Sequence, residues 1–441
     1  MSAAPVTRRT SNASQWLNLR MWVKRNQLSR GFWIYFLATL FFDAGFCIYF
    51  FLFNLYLLDL HFNERFIGLV SGVSTVGTML VMFPAGMLIR KFGVRSVMIG
   101  CYLVVPLVQV ARVLWVQPQA QIGLALFGGM ALASSAVCYL PTVARLTTEK
   151  NRTTAYSLIF AASLASSAIG GLLCSYFSHW ISLTGMRIQP VTIKQIILLA
   201  SCFVAALAVI PAIVLRVPPP QEHSEADKNK DKGNIRRLLR FSPALLRALL
   251  PVTLWAVVLA AFFPFGNIYL ERVLHLSLPR ISVIFSTAQI AQLVMLAFTP
   301  MILRRLGLSS GLLAIQIATG VTLAVLAGAH SESLAIVLFL LFSALQWMAN
   351  PGLYDLAMTN TPDAQREYTA AALLFGNALV SALTTPAVGA LYTRFGYRSP
   401  MIGIALLALL IAALSQFLLR TRFSSGTPEQ QPGCKPRLQP Q

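Results

Sequence analysis

The stretch GMLIRKFGVRS, residues 86–96, sets three basic side chains between two long apolar runs, and a degraded copy, MILRRLGLSS, stands at 301–310 in the same setting. Aligning LIRKFG (88–93) on ILRRLG (302–307) gives a displacement of 214 residues. NLYL (54–57) recurs as NIYL (267–270), displaced by 213, and Arg152 recurs as Arg366, displaced by 214. Separate matches at nearly one displacement mark a chain built from two related parts.

Composition identifies what those parts are made of. Hydrophobic residues make up 56% of the 441, charged residues 11%, and the mean hydropathy is +0.68. A soluble chain of that length needs far more charged surface, so the apolar surface faces lipid and the class is a polytopic membrane protein. A helical span takes about 20 mainly apolar residues. Twelve such runs can be marked, six between residues 31 and 215 and six between 244 and 420. The resulting expectation is an all-α integral membrane protein with twelve transmembrane helices in two six-helix halves. Its divisions are an N-terminal interfacial segment (1–30), a first half (31–216), a charged linker (217–243), a second half (244–420) and a tail (421–441). The linker, with PPP at 218–220 and then dense charge, reads as solvated.

The net charge of +21 invites a nucleic-acid reading, but its distribution speaks against one. Most Lys and Arg fall in alternate loops, the linker and the two ends, which puts both termini in the cytoplasm by the positive-inside rule. Within the first segment, Trp16 and Trp22 with Arg20, Lys24 and Arg25 suit an interfacial anchor on anionic headgroups. Arg112 is the exception to the loop pattern, being a cation inside the third span. Five of the six cysteines fall within spans and show no metal or disulfide spacing, and the five histidines fall in loops or at span ends. No phosphate-cradling glycine loop is present, so neither an enzyme nor ATP-driven movement is expected, and no cofactor.

The six-linker-six layout, the loop at 86–96 and its partner at 301–310 resemble the major facilitator superfamily, over residues 31–420. Gly86, Lys91, Gly93 and Arg95 fit that family's loop pattern, whereas Arg90 stands where the family carries an acidic residue, and Arg304 does so in the second copy. The family's fourth-span arginine, which would fall near Ala125, is missing. So is the proline of the antiporter pattern in the fifth span, although the small residues Ala162, Ser166, Ser167, Gly170 and Gly171 remain. The resemblance implies a secondary transporter working by alternating access, with the first, fourth, seventh and tenth spans lining a midplane cavity. It implies a small-molecule solute, protons as coupling ion, no nucleic acid, a monomer in the lipid bilayer, and a bacterial inner membrane. A facilitator-like receptor that binds without transporting is the alternative.

On those spans the acidic inventory singles out Asp43. Twelve residues beyond Gly31 it lies ~18 Å along the first helix, near the bilayer middle. A charge there costs about 2.5–3.5 kcal/mol on insertion scales, which usually marks a wet cavity or a partner. Asp43 is therefore the expected site for a coupling proton or a cationic group of the substrate. Hydrogen-bonding candidates for the cavity are Tyr49, Asn54 and Tyr56, then Trp255, Asn267 and Tyr269, then Gln346, Trp347, Asn350 and Tyr354. So little charge predicts an amphipathic or weakly cationic solute, with efflux favoured over uptake. At the cytoplasmic face, charge-swapped latches are expected between Arg90 and Glu367 or Asp363, between Arg304 and Glu149, and between Arg145 and Asp355. The competing reading of Arg90 and Arg304 is plain inside-positive topology.

Overall fold

The computed structural model describes residues 28–183, 189–218, 243–359 and 366–423. Most of the interfacial segment, of the charged linker and of the tail lie outside them. Twelve helices are long and apolar enough to cross a membrane. Those before the linker are α1 (Arg30–Asp59), α2 (Glu64–Met82), α3 (Lys91–Leu114), α4 (Pro118–Leu146), α5 (Thr154–Phe177) and α6 (Pro190–Val214). Those after it are α7 (Leu249–Arg272), α8 (Leu278–Leu306), α9 (Leu308–Ala327), α10 (Glu332–Ala357), α11 (Ala372–Phe395) and α12 (Arg398–Gln416). No strand occurs among the described residues.

Local chemistry sets the helix limits. Ser29 caps α1, its hydroxyl accepting from the Phe32 amide at 3.1 Å and donating to the Leu146 carbonyl at 2.9 Å, which ties the start of α1 to the end of α4. Asn63 caps α2 in the same way, accepting from the Phe66 amide at 3.0 Å. The internal repeat reappears as backbone geometry. Gly93 (φ 78, ψ 152) breaks the helical run between α2 and α3, and Gly307 (φ 80, ψ 153) breaks it between α8 and α9. Those values belong to a region only glycine enters without strain. His61 and His275, also 214 apart, both have positive φ, at 66 and 51. The two basic loops therefore turn through one shape, whatever their divergence in letters.

Among the described residues, three pairs of helices carry most of the contact between the first six and the last six spans. α2 lies on α11, where a Cβ added to Gly68 would come within 2.7 Å of the Thr385 carbonyl. α5 lies on α8, where one added to Gly171 would come within 2.2 Å of the Ser286 hydroxyl. Without a hydrophobic drive between helices in lipid, such small-residue contacts and the hydrogen bonds they permit hold the helices together. Ser286 donates to the Ala168 carbonyl at 2.7 Å, and Gln289 donates to Ser167. The third pair, α1 and α7, is joined by Asn54 and Asn267, described below.

α7 is not uniform. Pro264 has no amide hydrogen, and around it the helix tightens to a 3-10 turn over Phe263–Phe265 before resuming at Gly266. That turn faces the middle of the molecule.

Candidate functional site

A cavity of about 490 Å³ lies between the first six and the last six spans. α1 gives it Phe46, Tyr49, Phe50, Phe53 and Asn54, four of them aromatic. α2 contributes Ser71, Ser74, Thr75 and Thr78, whose spacing places four hydroxyls on one helical face. From α3 come Gln109 and Arg112. Across from them α7 presents Phe263, α10 presents Trp347, Asn350 and Tyr354, and α11 presents Asn377, Ser381 and Thr385. Apolar walls with a few convergent polar groups are the usual make-up of a small-molecule site.

Of the cavity candidates named from sequence, Tyr49, Asn54, Trp347, Asn350 and Tyr354 line it. The other five lie behind the wall. Tyr56 is buried and donates to the Val113 carbonyl at 2.9 Å. Trp255 is fully buried, its indole donating to the Gln346 carbonyl at 3.2 Å. Asn267 donates to the Phe51 carbonyl, and Tyr269 packs against Phe262 and Tyr397. Gln346 is buried and outside the lining.

Helices α2, α3 and α11 supply polar lining that the four-span expectation omitted, while α4 offers only Gly128 and Leu132. Two signals for them were in the letters: the hydroxyl period of SGVSTVGT (71–78) and the lone cation Arg112 within an apolar span.

Asp43 does not line this cavity. It faces the interior of the first six spans, with Ser163 of α5 within hydrogen-bonding reach and the Tyr102 and Tyr139 hydroxyls as electrostatic neighbours. Arg112 is the one charged side chain among the described residues of the lining. A cation in this cavity would meet the Arg112 charge, with no carboxylate among the described lining residues to offset it.

The cavity is sealed toward the end of the bundle where α1 stops, the Asp59 end. Lys194 of α6 is 3% exposed and donates to Asp59 of α1 at 2.9 Å and to Glu271 of α7 at 3.1 Å, with the Leu55 carbonyl accepting at 3.3 Å. One ammonium thereby joins both halves of the chain. Beside it, Arg272 of α7 lies 3.6 Å from Glu64 of α2, which also accepts from the Tyr397 hydroxyl at 3.5 Å. Tyr397, in the turn before α12, is buried; that burial first, and the Glu64 charge second, push its hydroxyl well above the ordinary phenol range and keep it a donor. Below this layer, Asn54 donates to the Pro264 carbonyl at 2.9 Å and Asn267 to the Phe51 carbonyl at 3.0 Å.

At the opposite end, where α1 begins, the side chains of Arg90, Glu149 and Glu367 and the whole of Asp363 lie outside the described residues. Arg304 is exposed and its Nε donates to the Pro300 carbonyl of its own helix at 3.2 Å. Arg145 is half-buried and Asp355 exposed.

A sequence profile of the Major Facilitator Superfamily matches residues 34–384. Among solved structures, the nucleoside transporter NupG superposes with a TM-score of 0.65 at 14% identity, covering 90% of this chain and 99% of its own. A bacterial homologue of the human lysosomal transporter Spinster, inward-facing and unoccupied, gives 0.69 at 14% identity, covering 91% and 100%. The xylose transporter XylE from E. coli in an inward open conformation gives 0.64 at 13% identity, covering 90% and 97%. At such identities the likeness is one of fold. No curated protein matches the sequence.

Proposed function

The chain belongs to the Major Facilitator Superfamily, and on that premise we propose that it is a secondary active transporter moving a small amphipathic organic solute through the central cavity by alternating access. The observation that carries this reading is the asymmetry of the closure. Among the described residues, the polar contacts between the two halves run from mid-bundle to the Asp59 end, and the cavity lies at their inner limit. With both termini in the cytoplasm of a bacterial inner membrane, as the charge distribution supports, this is a state closed to the outside. One chain encloses the cavity, which supports a monomeric working unit.

Opening requires that the Lys194 layer and the Asn54 and Asn267 bonds break while contacts form at the other end. At that other end the closing contacts are the charge-swapped pairs, Arg90 with Glu367 or Asp363, Arg304 with Glu149, and Arg145 with Asp355. Exposed pairs of this kind contribute about 0–1 kcal/mol each, enough to bias two states of similar energy. Proton coupling is assigned to Asp43, whose enclosure by hydroxyls inside the first six spans supports a carboxyl that gains and loses a proton without touching the solute. Export against proton entry is the proposed direction, although α5 keeps only the small residues of the antiporter pattern and not its proline.

The test is solute-dependent proton movement in proteoliposomes holding the full chain and an internal pH dye, challenged with neutral, anionic and cationic aromatic solutes in turn. Saturable proton flux with at least one solute is expected. Saturable binding without flux of either solute or protons removes the transport reading and leaves a receptor.

A further inference from the structure

Arg112 stands in the last turn of α3, at the cavity wall, where a cation removed from water needs a partner. What surrounds it does not neutralise it. Its guanidinium carbon lies 4.3 Å from the centre of the Phe53 ring, and its Nε is 3.4 Å from the side-chain carbonyl oxygen of Gln121. Gln121 is fully buried and anchored by donating to the Arg112 and Trp115 carbonyls at 2.5 and 2.8 Å, so its oxygen is fixed toward the guanidinium. An aromatic face and an amide oxygen orient a cation but carry no charge to balance it. No carboxylate among the described residues lies within ion-pair distance of Arg112.

Other donors in the cavity are also unsatisfied. The Tyr49 hydroxyl, on a side chain 4% exposed, and the Trp347 indole nitrogen have no hydrogen-bond partner among the described residues. Tyr49 lines the cavity beside Arg112 and is its electrostatic neighbour. Buried polar groups are ordinarily paired, and an unpaired donor next to an unbalanced cation calls for an acceptor carrying negative charge. The remaining wall suits an apolar body. Phe50 stacks on Phe263 with centroids 5.5 Å apart, and Phe263 meets Trp347 edge-on at 5.7 Å, giving an aromatic row that crosses from α1 to α10.

We infer that the cavity recognises a monoanionic organic acid, its carboxylate held by Arg112 and the Tyr49 hydroxyl and its aromatic or aliphatic body lying along Phe50, Phe263 and Trp347. A single cation matches one negative charge, which sets polyphosphates and dicarboxylates aside. The volume admits a body of metabolite size. This inference rests on the transport reading for the cavity's role, and it concerns what the cavity holds.

The test uses three probes that share one skeleton, 3-phenylpropionate, 3-phenylpropanamide and 3-phenylpropylamine. Equilibrium binding is measured on the full chain in lipid nanodiscs, and uptake in proteoliposomes. The carboxylate is expected to bind at least ~10-fold tighter than the amide or the amine, as a charge-assisted bidentate contact requires. Arg112→Gln should erase that preference, Arg112→Lys should retain part of it, and Tyr49→Phe should weaken the carboxylate alone by ~3–10-fold. The idea is overturned by tighter binding of the amine, by equal carboxylate affinity in wild type and Arg112→Gln, or by folded wild type that binds no carboxylate probe. Should Arg112→Gln fail to fold, Arg112→Lys and Tyr49→Phe decide it by the same comparison. Carboxylate binding without flux would keep this inference and remove the transport reading; flux of the amine, indifferent to Arg112, would do the reverse.

Discussion

Asn54 and Asn267 stand at equivalent places in the two repeats, and each donates its side-chain amide to the helix that carries the other. Asn54 reaches the Pro264 carbonyl at 2.9 Å, and Asn267 reaches the Phe51 carbonyl at 3.0 Å. The bonds are related by the internal symmetry and act together as one clasp between α1 and α7. Polar contacts between helices in lipid average about 0.6 kcal/mol and reach about 1.7. Asn54→Ala and Asn267→Ala should each shift the conformational balance by a similar amount toward the state open at the Asp59 end. Spin labels placed at Asn63 and His275 read this as a larger population of the long distance, with the double variant shifting furthest.

Lys194 is nearly excluded from solvent and shared by two carboxylates, each of which keeps an oxygen without a partner among the described residues. Removing one member of a buried ionic group strands the rest at about 3–5 kcal/mol. Lys194→Met should therefore destabilise the closed state strongly, while Lys194→Met combined with Asp59→Asn and Glu271→Gln should recover most of the loss. Thermal unfolding in detergent of the two variants against wild type checks the ordering.

Gly93 and Gly307 share a backbone conformation, and a Cβ added to either meets nothing within 4 Å. Substitution there strains the backbone without a clash, at about 1–3 kcal/mol. Gly93→Ala and Gly307→Ala should lower thermal stability by similar amounts, since the same turn is strained in both.

Asp43 lies away from the cavity and among hydroxyls, so its replacement should separate coupling from binding. Asp43→Asn is expected to abolish solute accumulation driven by a pH gradient while leaving solute exchange at equal pH within about twofold of wild type, because a neutral amide keeps the Ser163 contact. Unchanged gradient-driven accumulation removes Asp43 from the mechanism.

The repeat and the span count were legible because lipid forces each crossing to be a long apolar run, and because the loops at 93 and 307 need glycine for one backbone shape. The cavity was half legible. Tyr49, Asn54, Trp347, Asn350 and Tyr354 could be placed on the right helices, but a helix has several faces and the sequence does not say which one turns inward. Tyr56 and Trp255 spend their polar atoms on neighbouring carbonyls instead. The Lys194 cluster was missed for a different reason: its members lie at span ends 135 and 77 residues apart, where charge ordinarily means solvent. Arg112 was visible as an oddity, and only the packing of α3 against α1 gives it a role.

Alternating access makes one demand that no other reading of this fold shares: a residue in the cavity wall must be reachable from both sides of the membrane in turn. Ser381 lines the cavity from α11, and cysteine differs from serine there by one atom. In a background with the six native cysteines replaced, Ser381→Cys reconstituted in oriented vesicles should react with an impermeant maleimide from the side bearing the start of α1. In the added presence of Lys194→Met it should react also from the Asp59 side. Labelling confined to one side in both proteins would contradict the account.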